Sequence, residues 1–228
     1  MKIIDKKSKK RISKKGLNKV DPVIRNAFKE SEEELSPMDP PDAYDQKRAV
    51  NFDYKNLHKG LQKLCDEHND AINNCDIFEE ALNNFKSKGY YISKKTNDTF
   101  NSFFHYFDKE ILAHNKKEEK ILFPVLHQKM IESGEHGVGE KPNTPINLME
   151  DDHVKLIQLA SLTFNLLGLA LRFKNKESIA ITFDLAYNNG VELVELLRLH
   201  IYREDNIIFP LAQKLLTKEE LKQVYAEL

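Results

Sequence analysis

Two histidine–glutamate pairs stand out as residues able to do chemistry. His114 is followed four residues later by Glu118, and His200 four residues later by Glu204. Side chains four apart on a helix share a face and meet, so each pair presents an imidazole nitrogen beside a carboxylate. Their surroundings repeat as well. Residues 114–125 and 200–211 both read His-x3-Glu-acid-x-Ile-apolar-Phe-Pro, displaced by 86 positions (200 minus 114). A second pattern, Asp66-Glu67-His68 with Ile72, returns as Asp151-Asp152-His153 with Ile157, displaced by 85 (153 minus 68). The resulting set is His68, His114, Glu118, His153, His200 and Glu204. Four imidazoles and two carboxylates are the side chains that ligate divalent metals.

Apolar stripes indicate where these groups point. Phe107, Ile111, His114, Glu118 and Ile121 follow one another at helical steps, as do Leu197, His200, Glu204 and Ile207. His68 continues the stripe Leu61-Leu64, and His153 lies in Met149-His153-Ile157-Ala160. All six are therefore expected to face inward. A buried carboxylate without a partner costs several kcal/mol, and no lysine or arginine on these stripes supplies one. A pair of divalent ions would. A third His-x3-Glu, His136 to Glu140, falls in a glycine-rich segment where no helix aligns it, and reads as coincidental. His58, His105 and His127 read as surface or internally satisfied histidines.

The elements that must hold these residues are helices. Four amphipathic stretches are separated by Ser87-Lys88-Gly89, the segment Gly134 to Pro145, and Lys174-Asn175-Lys176. Thr217 and Glu220 form a capping box that opens a short fifth helix. Strand-like alternation is absent. The fold class is predicted to be all-α: an up-down-up-down four-helix bundle over residues 51–228, with the short C-terminal helix appended. Pro124 and Pro210 are each expected to mark a kink or helix end, without a chemical role.

Composition narrows the function classes. The 228 residues are 40% hydrophobic, and 35 basic side chains balance 36 acidic ones for a net charge of −1, so a globally basic nucleic-acid binder is not expected. Residues 1–50, lysine-rich and then acidic and proline-rich, are predicted to be a largely disordered extension, with contact to a protein partner as its alternative use. No apolar leader follows Met1, and the run Leu159–Leu171 is interrupted by Ser161, Thr163 and Asn165. Neither a secretory signal nor a membrane span is expected. Cys65 and Cys75 fall on one helix about 15 Å apart, beyond disulfide reach, which fits a cytoplasmic protein.

The ligand types alone leave iron, zinc and copper open. The arrangement resembles the hemerythrin family, the HHE cation-binding domain, over residues 52–213. That resemblance implies a bundle holding two non-haem irons joined by an oxo or hydroxo bridge, with zinc or another divalent metal as the lesser alternative. It places His68 and His114 on one iron, His153 and His200 on the other, and Glu118 and Glu204 across both. Oxygen-carrying members have a fifth histidine four residues after the first on the third helix, where this chain has Ile157. Two histidines per iron would leave a position open on each, within range of Tyr90, Tyr91 or Glu119.

The implied function is to bind O2 or another diatomic, or to sense O2 or iron, in a dry pocket of Phe103, Phe104, Phe107 and Leu197. The alternative is a di-iron enzyme acting on NO, peroxide or O2, or repairing damaged iron–sulfur centres. The repair relatives usually carry a cysteine-bearing N-terminal motif, and residues 1–50 contain no cysteine. A third use is as an adaptor in which metal orders the bundle and the extension contacts a partner.

Overall fold

The computed structural model describes residues 54–137 and 143–227. The extension 1–50 and Glu140, the far end of the third His-x3-Glu, lie outside them. Every regular element among the described residues is helical.

Each helix begins where a side chain caps its free N–H groups. Helix α1, Lys59–Ser87, starts at His58, whose Nδ1 accepts the Gly60 N–H at 3.3 Å. Helix α2 spans 94–133, and the Ser93 hydroxyl accepts the Thr96 N–H at its start. Helix α3, Pro145–Ala170, opens with a reciprocal box between Thr144 and Asn147 and a proline in its first turn, where a missing N–H costs nothing. Helix α4 spans 176–215 and is capped by Asn175. Helix α5, Lys218–Glu227, follows the expected Thr217–Glu220 box. Gly134, at φ 82°, ends α2 in the left-handed conformation that glycine adopts without strain.

Helices α1 to α4 form the predicted bundle. Helix α1 packs on α2 and α4, α3 packs on α4 and the last part of α2, and α5 lies against α1. One end of the interior is a phenylalanine layer. Phe78 stacks on Phe103 with centroids 3.9 Å apart, and Phe85 meets Phe100 and Phe183 edge-on. Helix α3 is, by length and composition alone, apolar enough to cross a membrane. Its buried line of Met149, His153, Leu156, Ala160, Thr163 and Leu167 instead faces the bundle interior.

The helices α2 and α4 are not regular throughout. Each widens into a π turn at the same place in the repeat, Glu118–Leu122 and Glu204–Ile208, where the Phe123 and Phe209 N–H groups reach back five residues to the Glu118 and Glu204 carbonyls. A second π turn in α2 covers Phe107–Ile111. Pro124 and Pro210 lie two residues beyond the Glu118–Leu122 and Glu204–Ile208 turns. A proline ring clashes with the carbonyl four residues back, and a preceding wide turn displaces that carbonyl. The expected kink or helix end at each proline is thus a π turn within a helix that continues.

Candidate metal centre

The π turns place the two glutamates at the middle of the bundle. Glu118 and Glu204 are both 0% exposed, and none of their four carboxylate oxygens has a hydrogen-bond partner. What surrounds them is nitrogen. Glu204 lies 3.1 Å from His68 Nε2 and 3.2 Å from His200 Nε2, and Glu118 lies 3.4 Å from His114 Nε2 and 3.5 Å from His153 Nε2. The rings also face each other in pairs, with Nε2 to Nε2 distances of 3.0 Å for His68–His114 and for His153–His200. Two overlapping groups result: His68, His114, Glu118 and Glu204, and Glu118, His153, His200 and Glu204, with donor atoms in each lying within 4.8 Å of one another. All six residues singled out in the sequence are brought together.

The outer nitrogens decide what the inner ones can do. Asp205 takes His68 Nδ1, Glu67 takes His114 Nδ1 and Glu119 takes His153 Nδ1, each at 2.8 Å, and Asp152 lies 3.6 Å from His200 Nδ1. A neutral imidazole that donates through Nδ1 carries its lone pair on Nε2. The rings of His68, His114 and His153 are thereby left with inward lone pairs, and with His200 Nε2 and the two carboxylates they converge in a buried space, a donor set that fits two cations. Behind two of the acids stand cations of the chain itself. Lys117 Nζ is 2.6 Å from Glu67, and Arg203 Nη1 is 2.9 Å from Asp152. Phe209 stacks on His68 at 5.5 Å and Phe123 on His153 at 5.7 Å, so the phenylalanines of both Phe-Pro pairs fix ring orientation.

Without metal, protons would balance the charge. Burial opposes protonation of His68, yet Asp205 and Glu204 pull its pKa up to about 10. His114 rises to about 9 against the same burial, drawn by Glu118 and Glu67, and His200 to about 10, drawn by Glu204 and Asp152. Burial works to raise both glutamates, and at Glu118 the charge of Glu204 adds to it, but the neighbouring imidazoles prevail and hold both below the usual carboxylate range.

Residues 59–212 match the family described as the Hemerythrin HHE cation binding domain. The chain belongs to this family. Among curated relatives, the iron-sulfur cluster repair protein YtfE of Salmonella paratyphi B is 29% identical over 104 residues, and that of Escherichia coli O81 is 32% identical over 107. Each match covers 46% of this chain and 42% of the relative, less than half of either. No solved structure matches the chain.

Several expectations need correction within this hemerythrin-family frame. Ile157 does not stand beside the centre in place of a fifth histidine; it is 45% exposed on the outer side of α3, and Leu156 is the inward residue. Tyr90 bonds Asp184, and Tyr91 is exposed, so neither reaches the donors. Glu119 grips the outer nitrogen of His153 and does not point at the centre. Phe103, Phe104 and Phe107 belong to the apolar layer, and of the expected pocket only Leu197 lines the cavity that meets the centre. Other expectations hold: His127 is internally satisfied by Thr144, and His105 is exposed at the surface. Cys65 and Cys75 are free thiols as expected, both buried, and burial pushes the latter up to about 12.

That cavity has a volume of about 150 Å³ and runs from His68, His114 and His200 between α1, α2 and α4. Ile111, Leu197 and Ile201 form its dry walls, with Tyr106, Asp70 and Glu110 toward solvent. Burial and the charges of Asp70 and Glu110 push the Tyr106 phenol up to about 12, so it keeps its proton.

Proposed function

We propose that this chain holds two iron ions at its duplicated histidine–glutamate centre and uses them to bind, sense or reduce a small molecule such as O2 or NO, inside the cytoplasm. The carrying observation is the set of four unpartnered carboxylate oxygens facing four imidazole Nε2 atoms whose outer nitrogens face carboxylates. In this reading His68 and His114 hold one ion, His153 and His200 the other, and Glu118 and Glu204 span both. Bound iron supplies redox electrons and exchangeable coordination positions. The chain's own residues do the rest: the Nδ1 partners fix ring orientation, the apolar walls exclude bulk water, and the cavity limits ligand size. At about 150 Å³ it falls below the volumes of pockets for organic ligands. A few water-sized molecules fit.

A second reading rests on the relatives. Those at 29% and 32% identity are named iron-sulfur cluster repair proteins, which favours a role in which the centre serves damaged clusters in other proteins. Residues 1–50 would then be the segment that meets a protein partner. Reconstitution with ferrous iron under anaerobic conditions tests the shared premise. About two irons per chain are expected, one for each donor group, with a marked loss in a Glu118→Ala/Glu204→Ala double variant. Far less iron in the wild type, or unchanged iron in the variant, overturns the assignment. Stopped-flow mixing of the reduced protein with O2 separates the two uses. A band that disappears on purging supports binding, whereas irreversible oxidation, with iron passed to a cluster-depleted acceptor, supports repair.

A further inference from the structure

The outer side of α3 is apolar over most of its length. From Leu156 to Leu171 the chain has no acidic or basic side chain, although many of these positions are exposed. Val154, Ile157, Leu162, Phe164, Leu169 and Leu171 are each 43% to 67% exposed. The Lys155–Glu192 pair sets the register of α3 against α4. Seven residues from that pair toward the connecting turn, Leu162 stands beside Leu185, itself half exposed. These side chains leave on the order of 700 Å² of apolar surface open, above the largest patch of a typical monomer and near what each partner buries in a standard interface.

The patch contains a seam with heptad spacing. Ile157, Phe164 and Leu171 lie seven apart, and so do Val154, Ser161 and Gly168, three residues before each. These are the a and d positions of a coiled coil. Gly168 is unexplained by its own fold. A Cβ there would meet nothing within 4 Å, whereas at Gly190 it would come within 2.9 Å of Leu82. Glycine inside a helix costs about 1 kcal/mol against alanine, and the packing of the described residues does not recover it. Laid against itself in the opposite direction, about an axis between positions 162 and 163, the seam is self-complementary. Phe164 then falls on Ser161, Ile157 on Gly168 and Val154 on Leu171. The ends match as well: Glu150 and Asp151, exposed ahead of the seam, meet Arg172 and Lys174, exposed beyond it.

We propose that the outer face of α3 is the interface of a homodimer, in which two copies pair this helix antiparallel about a two-fold axis. Such an interface is isologous, the same patch used by both copies. Each Phe164 closes over Ser161 of the partner subunit, each Ile157 closes over Gly168 of the partner subunit, and the acidic end of one helix lies on the basic end of the other. A parallel pairing would set phenylalanine against phenylalanine and like charges against each other, so the sequence also disfavours the alternative. The metal-binding groups lie on the inner side of α3, and the dimer does not depend on the iron reading.

Analytical ultracentrifugation of the full chain tests this. At about 50 µM, above the micromolar Kd that marks the weak end of interfaces of this size, the chain is expected to sediment as a dimer. Phe164→Glu is expected to weaken association about 100-fold while helicity and melting temperature hold, because Phe164 is 55% exposed in the single chain. Reversing one end of the seam (Glu150→Lys/Asp151→Lys) should weaken the dimer about fivefold, and reversing the other end as well (Arg172→Glu/Lys174→Glu) should restore it. Ile157→Cys/Gly168→Cys is expected to give a covalent dimer on mild oxidation. Ile157→Cys alone is not, since its two copies would lie about 16 Å apart along the axis, beyond disulfide reach. A covalent dimer from that single variant overturns the antiparallel pairing. A dimer unchanged by Phe164→Glu overturns the face. A full chain that sediments as a monomer, the result expected if another protein, a lipid surface or residues 1–53 cover this face, overturns the proposal.

Discussion

At the scale of single residues, the centre is governed by the acids outside it. The carboxylates that hold the outer nitrogens orient the rings and raise their basicity toward a metal, and removing such partners elsewhere lowers metal affinity about 10- to 100-fold. Asp205 is the strongest case, because its side chain is mostly buried against His68, whereas Glu119 is 44% exposed beside His153. Asp205→Ala is expected to lower iron affinity within that range in a competitive chelator titration, and Glu119→Gln to do so less. Equal affinity of both variants and the wild type would show that ring orientation is set by packing alone. The six inner residues were legible in the sequence because the repeat and the stripes pointed to the same positions. The outer acids were written in the same repeat, one after each glutamate and one before each histidine of the second pattern. Nothing in a linear pattern says that a neighbour of one candidate ligand reaches a histidine on another helix. Ile157 misled for a related reason. The inward line of α3 steps from His153 to Leu156, three residues on, and a four-residue step lands on the outer side.

At the scale of elements, the π turns make consecutive residues serve one ring. Glu204 and Asp205 hold the two nitrogens of His68, and Glu118 and Glu119 those of His153. The widened turn is a local feature often found at functional sites. Here it brings a bridging carboxylate and an orienting carboxylate onto one imidazole from adjacent positions. The proline after each turn was visible in the sequence, but a missing N–H is equally compatible with a kink, an end or a widened turn. Only the helix that continues to Ser133 or Leu215 discriminates among them. Phe123 and Phe209, the residues just before those prolines, are fully buried against His153 and His68. Phe209→Ala is expected to destabilise the fold by about 3–5 kcal/mol, the usual result of emptying a buried phenylalanine site. It should also weaken iron binding, because His68 loses the ring that holds it flat. Urea unfolding of iron-loaded and iron-free protein measures both. A loss below about 1 kcal/mol would show that the site collapses around the gap.

At the scale of the whole molecule, the acid–imidazole contacts close into a ring. Glu67 on α1 holds His114 on α2, Glu119 on α2 holds His153 on α3, Asp152 on α3 lies against His200 on α4, and Asp205 on α4 holds His68 on α1. The bundle and its helix order were readable from periodicity, but this ring was not, since it depends on which helices become neighbours. It ties the stability of all four helices to the charge state of the centre. In the iron-free protein, His68 and His200 titrate at about 10 and His114 at about 9, against about 6.5 in an unfolded chain. A group whose folded pKa is raised stabilises fully below its unfolded value, and that contribution disappears as pH rises through the folded value. The melting temperature of the iron-free protein is therefore expected to fall steadily between about pH 6.5 and pH 10. Metal ligation replaces those protons, so the iron-loaded protein should change far less over the same range, and loading at pH 7 should release protons into a weakly buffered solution. Thermal melts of both forms at unit pH intervals, with a pH-indicator titration of iron, would establish this. An iron-free melting temperature that stays flat or rises over that window would mean that the imidazoles are neutral without metal, and that the buried glutamates are balanced in some other way.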